Sequence, residues 1–368
     1  MTAPPGPEGP GGVLYGQEHA RGTRPENAKH KKDTERHSLY CIMDILNKIN
    51  GGFSIMKKLM ALLLALVMIL GVSSAMADEL GFTTGGTGGM YYAYGTVLAQ
   101  YVSNNTDVNI NVVAGNGSMD NVDKLDMNVY QLGFVQNDVA YYALNGIRLF
   151  EGEPVDSFTA LASLYTEAVQ LVTIDPEIKS VADLKGKRVS IGTNGSGVYF
   201  NALDFLAAYD LTEADIIAQY LNFNDSSDSL KDGKIDAAFV VAGIPTASIT
   251  ELATARPVYF IGLDDEHIDK LIEISGAYSR YIIPADAYGT DSDVVTVGMK
   301  ATIIANEKVT DEQAYTIVST IFENKDAITA VHAKGADLDL EFASTCGLPY
   351  HPGAAKYFAE KGITVVTK

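Results

Sequence analysis

The chain has no tryptophan and only two cysteines in 368 residues. Two cysteines exclude a disulfide framework. Basic residues are also scarce. Against 46 Asp and Glu stand 27 Lys and Arg, a formal net charge of -19. Phosphate recognition needs a basic face, so this balance argues against nucleic acid as a partner. Long apolar runs are missing with one exception, which excludes a polytopic membrane protein. What remains is globular, 47% hydrophobic and 20% charged, and long enough for two domains with sizeable cores.

The one apolar run explains the N-terminal quarter. Met56-Lys57-Lys58 is a short basic start, Leu59 to Val72 is apolar, and Ala75-Met76-Ala77 is the small-x-small exit that a signal peptidase reads. The run is short for a membrane span, and its order predicts a signal peptide over 56–77, cleaved after Ala77. Residues 1–55, with a Pro/Gly-rich stretch and a charged stretch, then read as an upstream extension, with Met56 the true initiator. No cysteine follows the run, so no lipid anchor is expected, and the working protein is predicted to be free in a periplasm. Cys41 leaves with the leader, and Cys346 is expected to be a packed apolar side chain. Residues 1–77 hold 9 basic and 6 acidic side chains, so the remaining 291 residues hold 18 and 40, a net charge of -22. Any anionic ligand is therefore bound against the global field, by local donors.

Beyond Ala77, short β-rich runs alternate with helical ones. Val108–Ala114, Gln131–Val135, Arg188–Ile191 and Asp236–Val241 read as strands. The alternation implies an α/β fold with mostly parallel sheets. A glycine-rich turn, Thr84 to Gly89, opens a helix with Met90, Tyr94, Val97, Leu98 and Tyr101 on one face. A second, Gly192 to Gly197, opens one with Val198, Ala202, Phe205, Leu206 and Tyr209 at the same spacing. In both halves a Leu precedes a Gly/Ala-Phe-Val run, with Leu and Phe nine residues apart (Leu125 and Phe134, Leu230 and Phe239). Two lobes of similar plan are therefore expected: 78–167 with 294–368, and 168–293. Leu161–Ile174 and Val294–Ile304 are the candidate crossing segments.

A glycine turn that ends a strand and opens a helix leaves the first helical N–H groups unpaired and makes an anion site. Thr84, Thr87, Asn194 and Ser196 add side-chain donors around Gly88, Gly197 and Val198. Gly115-Asn116-Gly117-Ser118, Gln136-Asn137-Asp138 and Ala242-Gly243 should face the same way, because ligands of open α/β sheets sit beyond the carboxyl ends of the strands. The candidate ligand-binding residues there are Asn116, Ser118, Asn137 and Gly243, with Asp138 expected to be solvated or capping. Tyr91 and Tyr165 are candidate cleft walls. Only Arg148, Arg188, Arg256 and Arg280 follow Ala77, and none stands beside a glycine turn, so an arginine clamp is not expected. The histidines past the leader (His267, His332, His351) are too scattered for a local metal pair, Gly195-Ser196-Gly197 is not a nucleophile elbow, and Asp225, Asp228 and Asp232 lack calcium-loop order. No catalytic residue, metal or cofactor is assigned.

Thr84-Gly-Gly-Thr-Gly-Gly-Met-Tyr-Tyr resembles the opening signature of the TAXI-type solute receptors of TRAP transporters. Ala182-Asp-Leu-Lys-Gly-Lys-Arg-Val-Ser-Ile-Gly with Gly195-Ser-Gly, Ala242-Gly-Ile-Pro-Thr and His351-Pro-Gly-Ala are similar to later motifs of that family, in order over 80–363. The resemblance implies a type 2-like periplasmic binding protein that closes on a small ligand, typically an amino acid such as glutamate or glutamine or another organic acid, and delivers it to a TRAP membrane permease. It implies a monomeric binder and no enzyme. Thr193-Asn194 departs from the Ala or Pro that relatives often carry there. An exported enzyme acting on a small acid and a ligand-presenting sensor subunit are the alternatives. N-terminal sequencing of the exported protein is expected to begin at Asp78; a chain starting before Met56 contradicts the leader assignment.

Overall fold

The computed structural model describes residues 79–368, which lie in one compact unit, Ala75–Lys368. The predicted extension, the signal peptide and Cys41 fall outside the described residues. Chain order is β1 (Leu80–Thr83), α1 (Met90–Asn105), β2 (Ile110–Val113), α2 (Ser118–Asp126), β3 (Leu132–Gln136), α3 (Asn137–Asn145), β4 (Phe158–Thr173), β5 (Arg188–Ser190), α4 (Gly197–Ala208), β6 (Ile217–Gln219), α5 (Phe223–Lys231), β7 (Ala237–Ala242) and α6 (Ala247–Ala255). There follow β8 (Tyr259–Phe260), α7 (Asp265–Ile274), β9 (Ser279–Ile283), β10 (Val294–Asn306), α8 (Asp311–Glu323), α9 (Lys325–Val331), α10 (Leu340–Ala343) and α11 (Pro352–Glu360). Among the described residues no helix is long and apolar enough to cross a membrane.

Strand order is β2-β1-β3-β10-β4-β7-β5-β6, with β8 on β4 and β9 on β10. β1 pairs in parallel with β2 and β3, and β5 pairs in parallel with β6 and β7. These two parallel groups are the sheets of two lobes. The strands between them, β4 and β10, have 16 and 13 residues, whereas strands are usually 3–10 residues long. β4 is rich in Leu, Val, Thr and aromatic residues and β10 in Val, Ile and Thr, which suit a pleated sheet covered on both faces. At about 3.3 Å per residue β4 reaches about 50 Å, enough to serve both lobes.

β4 and β10 run antiparallel and paired, from Gly298 opposite Ala168 to Asn306 opposite Phe158. At the Ala168–Gly298 pair each changes partner. β4 passes to β7 through Ala168–Thr173, and β10 arrives from β9 through Val294–Gly298. The expected two-lobed α/β plan with two crossings is the plan seen. The helices after β10 return to the first lobe, where α8 and α9 pack on α1, and α11 packs on α8.

There are two apolar centres. The larger gathers Phe82, Leu98, Leu125, Phe134 and Ile303 and extends to Leu230, Val240 and Ile249 of the second lobe; the other holds Val189, Phe205, Leu206, Phe239 and Leu271. The Leu and Phe that the sequence repeats nine residues apart are all buried. Cys346 is buried and unpaired.

A single buried amide fixes the end of the first sheet. Asn121 on α2 donates from Nδ2 to the carbonyls of Thr84 (2.9 Å) and Phe134 (2.7 Å), and its Oδ1 accepts the Thr83 hydroxyl at 2.7 Å. It joins the ends of β1 and β3 and holds the start of the first glycine turn. Removing it leaves two buried carbonyls unpaired, each worth about 1–3 kcal/mol. Asn121→Leu is expected to lower unfolding free energy by about 2–4 kcal/mol in urea titration, a loss that exposed Asn105→Leu does not reproduce.

Candidate functional site

The glycine turns at the heads of α1 and α4 open onto one cavity of about 360 Å³, lined from both lobes. That volume is at the small end of small-molecule sites, about 300–1,000 Å³. The first lobe contributes Gly85 to Tyr91, Ala114 to Ser118 and Gln136. The second contributes Gly192, Thr193, Ser196 to Val198, Leu221 to Asp225, Val241 and Ala242. Glu167 comes from the crossing strand β4.

Three helices start at this cavity with no side-chain cap: α1 after Gly89, α2 after Gly117 and α4 after Ser196. Elsewhere α5, α7, α8, α10 and α11 are capped by Asn222, Asp264, Thr310, Asp339 and His351, while α3, α6 and α9 also lack a side-chain cap. Uncapped first-turn N–H groups and the positive helix ends favour an anion, each end contributing about 0.3–1 kcal/mol and about 2 when partly buried. No lysine, arginine or histidine is among the described residues that line the cavity. The four arginines are engaged elsewhere. Arg148 pairs with Asp204, Arg188 with Asp236 and Arg280 with Asp265, while Arg256 donates to the Lys231 carbonyl.

The lobes are closed on one another around this space. Asp120 N–H donates to the Gly195 carbonyl at 2.9 Å, the Thr193 hydroxyl to the Asn116 carbonyl at 3.3 Å, and Ser248 N–H to the Gly88 carbonyl at 3.4 Å. Two glycines permit this approach. A Cβ at Gly88 would overlap Asn224 Oδ1, and one at Gly197 would overlap Gln136 Oε1.

Of the residues singled out by sequence, Thr87, Gly88, Tyr91, Asn116, Ser118, Ser196, Gly197 and Val198 line the cavity. Thr84, Asn137, Tyr165, Asn194 and Gly243 do not. Thr84 is buried and its hydroxyl donates to the Val113 carbonyl at 2.8 Å, which spends it on joining two strand ends. Asn137 bridges inward, accepting from Lys300 N–H at 2.9 Å and donating to the Cys346 carbonyl at 3.3 Å. Tyr165 lies inside the core near Tyr94 (ring centroids 6.0 Å apart), and its hydroxyl has no protein partner. Asn194 is exposed at the tip of its turn, and Gly243 is packed beneath Tyr165, Met90 and Lys334.

Three features escaped the sequence reading. Glu167 is 2% exposed, and its Oε2 accepts the Tyr91 hydroxyl at 2.8 Å. The available signal was its charge, the only one in the sixteen residues of β4. Gln136 takes the floor position expected of Asn137, with its N–H bonded to the Ser118 hydroxyl at 3.1 Å. The third is a buried polar chain that crosses between lobes behind the cavity. Gln136 Nε2 donates to Asn201 Oδ1 at 2.7 Å. Asn201 Nδ2 donates to Asp138 Oδ2 at 3.0 Å and to the Tyr278 hydroxyl at 2.7 Å, and Tyr278 donates to Asp204 at 2.9 Å. Asp138 is therefore fully buried, neither solvated nor merely a cap. Asn201 and Asp204 lie one turn apart on α4, which aims both at the first lobe.

The profile of the NMT1-like family matches residues 82–362. The chain belongs to the NMT1-like family. Similar solved structures include the periplasmic aliphatic sulphonate binding protein SsuA of Escherichia coli. It is 16% identical, with 77% of this chain and 78% of that one covered and a TM-score of 0.41. A putative L-cystine ABC transporter protein of Listeria monocytogenes is 15% identical (71% and 98% covered, TM-score 0.46). The GluR0 ligand-binding core of Nostoc punctiforme, solved with L-glutamate, is 14% identical (70% and 100% covered, TM-score 0.42).

Burial pushes the Asp138 carboxyl up to about 6; its bonds from Val139 N–H and Asn201 oppose this, and the Asp204 charge adds to it. A carboxyl raised above its unfolded value near 3.9 stabilises the fold fully below that pH and loses the contribution as pH rises through about 6. Asp138→Asn, which cannot ionise, is expected to gain stability relative to the wild type between pH 4.5 and 7.5. Urea midpoints at both pH values test this; a pH-independent difference contradicts it.

Proposed function

We propose that this chain is an extracytoplasmic solute-binding receptor that captures a small carboxylate or amino acid between its lobes and releases it unchanged to a membrane permease. The observation that carries the reading is the pairing of two glycine turns from opposed lobes over one cavity, with uncapped helix starts and no basic side chain. An anion held by backbone N–H groups in a small enclosed space is bound without a clamp of charge. Micromolar affinity corresponds to about -8.2 kcal/mol. Several charge-assisted bonds at about 1.5–3 kcal/mol each reach it after the cost of closure.

The finer reading is a receptor of the TAXI kind serving a TRAP permease, working as a monomer in the periplasm after loss of residues 1–77. It is supported by the ordered motifs from Thr84 to His351 and by the arginine-free lining. The leader pattern at Met56–Ala77 supports export.

A dye-based thermal-shift screen of L-amino acids, mono- and dicarboxylates and alkanesulfonates tests this. A ligand at about 100 times its Kd adds about 2.7 kcal/mol, which raises the melting temperature by roughly 5 °C. Amino acids or carboxylates are expected to give that rise with no product formed, and Gly197→Ala, which blocks the seat on Gln136, is expected to lose it. Stabilisation by sulfonates alone contradicts the ligand class, and turnover contradicts the receptor. Uptake in vesicles driven by an ion gradient rather than by ATP separates a TRAP permease from an ABC one.

A further inference from the structure

The lining has one buried carboxyl, and only one of its oxygens is hydrogen-bonded. Glu167 Oε2 accepts the Tyr91 hydroxyl, whereas Oε1 has no hydrogen-bond partner among the described residues although the side chain lines the cavity. A buried carboxylate left unpaired is costly, and pairing with a cation offsets that cost. The lining has no basic side chain to provide one. The second acidic residue of the lining, Asp225, is exposed and bonded to Asn222. No cation of the lining pairs with Glu167, so one that does so arrives with the solute.

The rest of the wall has the opposite character. The uncapped starts of α1, α2 and α4 take an anion. Donors for one sign and a lone acceptor for the other, in a space of amino-acid size, complement a molecule that carries both charges. We propose that Glu167 is the specificity-determining residue of this site, taking the ammonium group of an α-amino acid whose carboxylate lies against the glycine turns. The proposal rests on the receptor reading above and narrows its ligand.

Glu167 also occupies a mechanical position. It pairs with Met299 of β10, next to the Ala168–Gly298 pair where both strands change lobes. The ammonium is bound at the hinge and the carboxylate by both lobes, so one small zwitterion touches every part that moves.

Burial holds the Glu167 carboxyl well above the ordinary carboxylate range; the Tyr91 hydrogen bond opposes this and the Asp138 charge adds to it. Tyr91 and Tyr165, its other titratable neighbours, are held protonated by their own burial. Burial without a cation favours the protonated acid, and an arriving ammonium group favours the ionised one. Binding of an amino acid therefore releases a proton, and binding of a plain carboxylate does not.

The test pairs each of the common L-amino acids with the carboxylic acid of the same skeleton lacking the amine, such as L-glutamate with glutarate and L-alanine with propionate. Titration calorimetry on the full chain at pH 5.5, in two buffers of different ionisation enthalpy, reads affinity and protons together. The expected result is at least about tenfold tighter binding of the amino acid, from a charge-assisted bond, with net proton release. Glu167→Gln is expected to erase both. Circular dichroism checks that the variant folds; if it does not, the wild-type preference and proton count decide. Deaminated acids binding as tightly as amino acids, or a preference that survives in a folded Glu167→Gln, overturns the proposal while the carboxylate receptor stands. Binding by neither panel overturns both.

Discussion

β4 and β10 stay hydrogen-bonded over nine registered pairs and then part, each entering the sheet of the other lobe. This antiparallel ribbon is the constraint on which the cavity depends. A hinge of two paired strands allows bending across the ribbon but resists shear along it, because sliding by one residue would turn every buried side chain to the wrong face. The lobes can therefore separate and return to the same registration. That registration sets Gly88 against Asn224 and Gly197 against Gln136, contacts with no room for a side chain.

Electrostatics follow from the same geometry. Residues 78–368 are strongly acidic, so a free anion meets a repulsive field, screened beyond about 8–10 Å at physiological salt. Inside the closed cavity the local sources dominate. They are backbone dipoles, which need no counter-charge, and they lie at the strand and helix ends that an α/β unit presents together. Arginine is free for structural service, as in the pair that Arg148 makes across the lobes with Asp204 while its guanidinium lies 5.1 Å from the ring centre of Tyr142. A half-buried ion pair of this kind gives weak net stability but strong positional demand.

Much of this was legible in the residues because it is local. A turn rich in glycine before a helical apolar stripe marks a strand-to-helix junction wherever it occurs, and the repeat of that pattern pointed to two lobes. The crossing strands were visible as the longest β-rich runs. What was not legible is what depends on partners distant in sequence. Asn137 and Gln136 are neighbours, and only the pairing of β3 with β10 decides that Gln136 faces the cavity while Asn137 turns to Lys300. Tyr165 and Glu167 lie two apart on β4, and a strand puts such residues on one side. The difference between a core ring and a cavity acid comes from where the lobes meet. Asp138, Asn201 and Tyr278 are far apart along the chain, and no spacing rule could have joined them.

The ribbon is not uniform along its length. The pairing of β10 with β4 shifts register between Ala301 and Thr302 and again between Ile303 and Ile304, both on the side of the first lobe, while the pairings with β7 and β9 run without interruption. Irregular pairs twist and bend more readily than regular ones. The compliance of the ribbon is thus off-centre: the second lobe carries its stretch of both strands as a stiff paddle, and the pivot falls within the territory of the first. A force that opens the two lobes gains most leverage by bracing the first lobe and pushing on the second.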